Sequence, residues 1–350
     1  MLRKFSIVAL IAILAVSCEP EPGTIALPYR RDVPVLLGTH VDSYADQEVR
    51  FTMDMAVYMG DNSINNVPYF TGLPDSSWQF SDFWYVENND STFIHHQIEK
   101  SEFVDTSAFS TFSTLVLIDQ SGFPENFDTT DYYNERFEAY NAFYKNLNGQ
   151  GKIAFAWYRR ASIEHDVIKY INTDFSENWE PGTMRQLLDL THQQGGTAAL
   201  YDALAQAINF ISTKNLENPS ITVLIKNRDD GKSAITLDNL IALAQQKNVR
   251  INVIWLIHRY QNVDFAALRK LPWATGGFEV YMSSSYQMNT VFLRLPDLLR
   301  VSTSFYRVKV KMTATGPEPF ASIYNTGVYL YYYTSQFYKW SYIPIILVKP

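Results

Sequence analysis

A doubly wound α/β domain with a mainly parallel sheet, set between two stretches of antiparallel β-structure, is the fold this sequence predicts. Three observations lead there. The run Leu115–Asp119 (LVLID) is continuously apolar up to its last residue, as a parallel strand buried on both faces must be. From about 110 to 300, strand-like and helix-like segments alternate strictly, which favours a parallel sheet with helices on both faces. On either side of that region the apolar residues return to a period of two.

The elements follow in order. Between 33 and 109, short apolar runs are broken by Gly, Pro, Asn and Asp. Val49–Met59 alternates, with Val49, Phe51, Met53, Met55 and Val57 on one side and Arg50, Thr52 and Asp54 on the other. Trp78–Val86 and Ser91–Ile98 predict further strands. After LVLID, Thr129–Asn148 carries a helical stripe of Tyr132, Phe137, Tyr140, Phe143, Tyr144 and Leu147, closed by Gly149. Strands are predicted at Lys152–Tyr158, at Ile221–Ile225, Ile251–Ile257 and Phe278–Met282, and an edge strand within His165–Ile171. Helices are predicted at Thr183–Gln193, Ala198–Ser212, Thr236–Lys247, Val263–Lys270 and Gln287–Leu299. Beyond Arg300, Ser304–Met312 alternates again, and Gly327–Val348 predicts one or two strands, or a hairpin about Ser335-Gln336. About fifty residues of strand make a thin core, so residues 301–350 are expected to complete a β-sandwich with 33–109, the α/β region 110–300 being inserted between them.

A chain of 350 residues is long enough for more than one core, and 47% hydrophobic with 15% aromatic residues is a globular composition. A net charge of -7 argues against nucleic acid or anionic lipid headgroups as partners, since both need a basic patch. The opening 1–17 has Arg3 and Lys4, an apolar stretch Phe5–Val16 too short to span a bilayer, and small Ser17. It reads as a secretory signal. Cys18, the single cysteine, has no disulfide partner and follows Ala15-Val16-Ser17, which resembles the lipobox of bacterial lipoproteins. That resemblance implies acylation of Cys18 and anchoring without a membrane-spanning helix, residues 18–32 forming an extended tether. The expected location is the bacterial cell envelope, at the outer membrane.

The segments that carry chemistry are LVLIDQSG (Leu115–Gly122), QQGGTAALYDAL (Gln193–Leu204), Ile221–Leu256 with VLIKNRDDG inside it, and LRKLPWATGGFEVYMSS (Leu268–Ser284). In that order, on alternating elements, they resemble a von Willebrand factor type A domain, a Rossmann-like doubly wound fold. The family commonly binds a divalent cation through Asp-x-Ser-x-Ser on one loop, a Thr on a second and an Asp on a third. The resemblance assigns Asp119 and Ser121 to the first loop and Thr197 to the second. Two positions depart from it. Phe123 stands where the second Ser belongs, and Lys226-Asn227 stands where Ser or Thr precedes Asp. At about 4 Å and an effective dielectric near 20, each unit charge is worth on the order of 4 kcal/mol. Losing a carboxylate while gaining an ammonium therefore weighs heavily against the cation. The loop length allows Asp229 or Asp230 to substitute. The expectation is a degenerate site with no cofactor, Mg²⁺ or Mn²⁺ being the ions it would take if it still bound one. Asp119, Ser121 and Thr197 are then turn and helix-cap hydrogen bonders.

Nothing else in the chain marks a catalytic site. His95-His96 lies on a predicted strand, so the two rings face opposite sides. Gly195-Gly196-Thr197 lacks the Gly-Lys-Ser/Thr of a nucleotide cradle, and Ser121 lacks the glycine that a nucleophile elbow needs. The expected function is non-enzymatic protein binding, as in adhesion or assembly, through loops bearing Asp119, Phe123, Thr197, Asn227, Asp229 and Asp230. The alternative is glycan binding by the aromatic-rich run Tyr329–Tyr342.

Overall fold

The computed structural model describes residues 33–58, 78–80, 83–87, 90–104, 111–122, 135–147, 149–161, 167–178, 180–190, 195–256, 267–282, 288–300, 305–316, 320, 323–333 and 338–349. In 33–35, 56–58, 78–80, 83–87, 90–93, 103, 135, 190, 290, 323–333, 338–344 and 348 the description is confined to the backbone. The leader, Cys18, the tether and Phe123 lie outside these residues, as do the expected boundaries near 110 and 300. Among the described residues no helix is long and apolar enough to cross a membrane.

Eleven described strands form one mixed sheet. Its α/β half holds β6 (Phe112–Asp119), β7 (Gly151–Tyr158), β8 (Ile168–Tyr170), β9 (Pro219–Ile225), β10 (Arg250–Leu256) and β11 (Glu279–Met282). The order is β8-β7-β6-β9-β10-β11, parallel throughout except for β8, which runs antiparallel to β7. The chain winds outward from β6 to one edge and then returns to β9 to wind the other way. The β6/β9 boundary is therefore the topological switch point, where ligands of open α/β sheets bind. All eight residues of β6 are buried, which is why its sequence is a continuous run and not an alternating one.

Two helical layers cover this half. On one face, α3 (Leu200–Ser212) and α4 (Leu237–Gln246) pack Leu204, Ile208, Ile211 and Leu240 onto Leu115, Leu117, Ile221 and Val223. On the other, α1 (Glu135–Lys145), α2 (Pro181–Leu190) and α6 (Met288–Leu299) bring Tyr140, Phe143, Leu187 and Phe292 against Val116, Phe155 and Ile254. Of the helix predicted at Val263–Lys270, residues 263–266 lie outside the described residues. A single 3₁₀ turn at Ala267–Arg269 leads into α5 (Lys270–Thr275), which buries Leu271 and Pro272. Pro272 is tolerated because it falls in the first turn, where its missing N–H costs no helical bond, and Gly276 at φ 72° ends the helix.

The flanking strands pair as one group, and they extend the α/β sheet itself. β1 (Val33–Ala45), β2 (Glu48–Tyr58), β5 (Asp90–Val104) and β12 (Phe305–Thr315) lie in the order β5-β12-β2-β1, each antiparallel to its neighbour. β4 (Phe83–Glu87) pairs outside β5, and β1 joins β11 through Val35↔Val280 and Leu36↔Glu279. The run Trp78–Val86, predicted as one strand, is two. Its first part, β3 (Trp78–Phe80), belongs to a separate three-stranded sheet with the hairpin strands β13 (Ile323–Tyr333) and β14 (Tyr338–Val348). Ile345 and Leu347 of β14 lie in a core with Phe51, Met53, Val308 and Val310. Leu36 joins that core while its neighbour Leu37 packs against the helical one, so β1 is the seam.

Candidate functional site

Asp119 ends β6 and Lys226 directly follows β9, so both stand at the carboxyl edge of the switch point. The loops leaving β6, β7 and β9 are tied to the segment entering α3, the last through Asp230 N–H donating to Ala198 O (2.8 Å). Gly122 N–H donates to Gly196 O (3.1 Å), Gly195 N–H to Gln120 O (3.0 Å), and Thr197 N–H to Arg160 O (3.1 Å). Gly196 is required there. It sits at φ 75°, and a Cβ would come within 2.3 Å of Arg160 O.

Asp119 is fully buried and every lone-pair direction is taken. Its Oδ1 accepts from Ser121 N–H (2.8 Å) and from the Ser121 hydroxyl; its Oδ2 accepts from the N–H groups of Lys226 and Asn227 (3.3 Å each). Asn227 turns its amide NH₂ inward, donating to Ser121 Oγ (2.8 Å) and to Gly122 O. Gly122 O can only accept, so the amide orientation is fixed by chemistry: a flip would set two oxygens against each other. Lys226, which reaches the cluster through its backbone N–H, is itself 2% exposed.

This donor set does not fit a divalent cation. Mg²⁺ needs about six oxygens at about 2.1 Å in octahedral array. Here Asp119 is saturated by N–H and O–H donors, and the third-loop position offers hydrogens. Among the described residues, no group of three or more His, Cys, Asp or Glu side chains is placed to hold a metal ion.

Thr197 belongs to a second cluster. Its hydroxyl donates to Asp230 Oδ2 (2.8 Å), which also accepts from Arg160 Nε (2.8 Å), while Arg160 Nη2 donates to Asp202 Oδ2 (3.1 Å). Arg160 and Asp230 are 14% and 4% exposed. Burial alone would raise the Asp230 carboxyl, but hydrogen bonds from Arg160, Thr197 and the Lys232 N–H outweigh it and hold it below its ordinary range. Thr197 is thus not a helix cap. The free N–H groups at the start of α3 are met by other side chains: Asp229 Oδ1 accepts from Tyr201 N–H (3.0 Å) and Ser233 Oγ from Asp202 N–H (3.3 Å). Behind Asp119, burial pushes the Tyr158 phenol well above its usual value, and the nearby carboxylate acts the same way.

Of the residues marked in the sequence, the fold thus gathers Asp119, Ser121 and Asn227 into one cluster. Thr197 and Asp230 form another, and Asp229 caps α3. Arg160, which bridges the second cluster, was not singled out. The available signal was its position two residues past β7, an arginine at the carboxyl end of a parallel strand beside the switch point. The aromatic side chains of Tyr329–Tyr342, on which the glycan alternative rests, lie outside the described residues.

No protein-family profile matches the chain, and no curated protein matches it by sequence. Among solved structures it is similar to a von Willebrand factor type A protein from Catenulispora acidiphila, with 10% identity, 91% of this chain and 74% of that one covered, and a TM-score of 0.43. It is also similar to the pilus adhesin SpaC from Lactobacillus rhamnosus GG (6% identity, 81% of this chain, 50% of that one, TM-score 0.41). A third is the ArnB paralog VWA2 from Sulfolobus acidocaldarius (11% identity, 91% and 75% covered, TM-score 0.33). The chain spans only half the length of the SpaC adhesin. Likeness at this level carries no argument about function.

Proposed function

We propose that this chain is a non-enzymatic, lipid-anchored envelope protein that holds a protein partner at the carboxyl rim of its α/β sheet, without a metal ion. One observation carries the reading: loops from three separate places in the sequence are bonded directly to one another at the switch point. The carboxylates inside that rim are all hydrogen-bonded, and Gly196, Thr197 and Arg228 are left exposed at its surface. Preorganised loops lose little conformational entropy on docking, so a rigid rim favours recognition. A site whose carboxylates are already filled offers no free carboxylate base for catalysis.

The test is crosslinking of the full-length chain in its native membrane, comparing wild type with Thr197→Arg and Arg228→Glu. Both positions are exposed, and both changes should sharply reduce capture of the partner; Arg228→Glu should leave the melting temperature unchanged, whereas Thr197→Arg also removes the hydroxyl bonded to Asp230 and should lower it. Capture indifferent to both would remove the rim from the account. For the anchor, supported by Cys18 after its short apolar leader, Cys18→Ala should release the protein from membranes. Undiminished membrane retention would refute lipidation.

A further inference from the structure

At the opposite end of the parallel strands the long sheet has a notch. β1 is paired along its length by β2, but on its other edge β11 offers only four residues and meets it at Val35 and Leu36 alone. A bulge between Leu36 and Gly38 bends β1 just where β11 begins. From Gly38 to Ser43, that edge of β1 has no strand partner among the described residues. In its place is a cleft of about 260 Å³ lined by five consecutive residues, Leu37–Val41, facing Lys270 and Trp273 of α5. Side chains alternate across a strand, so five consecutive residues can line one cleft only along the strand's edge, where backbone N–H and C=O groups point.

The far wall is shaped as well. Trp273 is 46% exposed, the exposed large apolar side chain among the described residues. Its ring rests on Gly38, where a Cβ would come within 2.0 Å, and lies 12° from parallel to His40 with centroids 6.1 Å apart. Thr39 Oγ1 is buried and has no hydrogen-bond partner among the described residues. Arg269 is bound bidentately by Glu279, which also accepts from Trp255 Nε1 (2.8 Å), so that pair is internally neutral. Lys270 is exposed and makes no ion pair among the described residues, which leaves the cleft one uncompensated positive charge.

We infer that this notch docks an extended peptide segment of a partner protein. The segment adds as a strand to the open edge of β1 at Gly38–Val41, lays an apolar side chain on Trp273 and turns an acidic one toward Lys270. A bare strand edge repeats donors and acceptors at about 3.4 Å per residue, a spacing that another extended backbone matches. A second bulge, between Val41 and Ser43, limits the augmenting strand to about four residues, or about 14 Å. The inference goes beyond the rim reading and is independent of it, since the two surfaces lie at opposite ends of the strands.

The probe is a synthetic library of acetylated, amidated pentapeptides carrying one apolar and one acidic position, titrated into the full-length chain. The tightest binder should lose about tenfold or more in affinity for Trp273→Ala and be weakened by the exposed Lys270→Glu, which cannot act through folding. N-methylation of its backbone at alternate residues should abolish binding in one register and spare it in the other. Amide exchange within Thr39–Val41 should slow on binding, and Arg228→Glu at the rim should leave peptide affinity unchanged. The inference is overturned if no peptide prefers wild type over Trp273→Ala, or if binding ignores backbone N-methylation. It is equally overturned if sedimentation shows a second copy of the chain already closing this edge.

Discussion

The two halves of the long sheet handle charge in opposite ways. In the α/β half, strands are sealed by helices on both faces, and the charges at their carboxyl ends are drawn inward: Arg160 at 14% exposure grips Asp230 at 4% and Asp202 at 20%. In the antiparallel half, β12 alternates buried and open positions, and Arg307 meets Asp54 bidentately (2.8 Å twice) with the arginine 41% and the aspartate 17% exposed. The chemistry is the same and the geometry equally good. What differs is the solvent, and with it the cost of losing a partner. Breaking a buried pair strands a charge in a poorly solvated place, whereas water that reaches a half-exposed arginine takes over much of its pair.

That contrast can be broken by paired substitutions. Arg160→Met should destabilise the protein by about 3–5 kcal/mol in urea titration, since Asp230 and Asp202 are left uncompensated. Gly196→Ala should follow at about 1–3 kcal/mol, from a side chain forced to positive φ against Arg160 O. Arg307→Met should cost no more than about 1 kcal/mol. If Arg307→Met proves as damaging as Arg160→Met, burial is not what separates the halves.

The smallest effect expected is one of pH. The Asp230 carboxyl is held below its ordinary value of 3.8, so its contribution is present above that pH and is lost as pH falls through the depressed folded-state value. Stability monitored by thermal melting should therefore fall below about pH 4 more steeply in wild type than in Asp230→Asn. Parallel acid profiles would show that the Arg160 network does not hold Asp230 ionised.

Sequence made the α/β half legible because burial on both faces writes itself as unbroken apolar runs, and the strands β6, β7, β9 and β10 fall where those runs do. The three loops could be named for the same reason: they follow or precede such runs. What escaped was long-range pairing. Nothing local says that Arg160 will reach Asp230, 70 residues on, or that Asp229 will cap a helix that begins nearly 30 residues before it. The seam escaped for a related reason. β11 is only four residues long, and its partner β1 lies more than 240 residues earlier. Pairing this brief leaves no periodic trace, so the flanking strands read as a structure apart when they share the α/β sheet.

The central claim is that hydrogen bonds within the rim, and no cation, hold the loops around Asp119 for docking. Calorimetric titration of Mg²⁺ and Mn²⁺ into the full-length chain tests it most directly. The account expects no saturable heat and no rise in melting temperature at millimolar ion, whereas an ion at about a hundred times its Kd would add about 2.7 kcal/mol. Saturable binding that disappears in Asp119→Ala would contradict it.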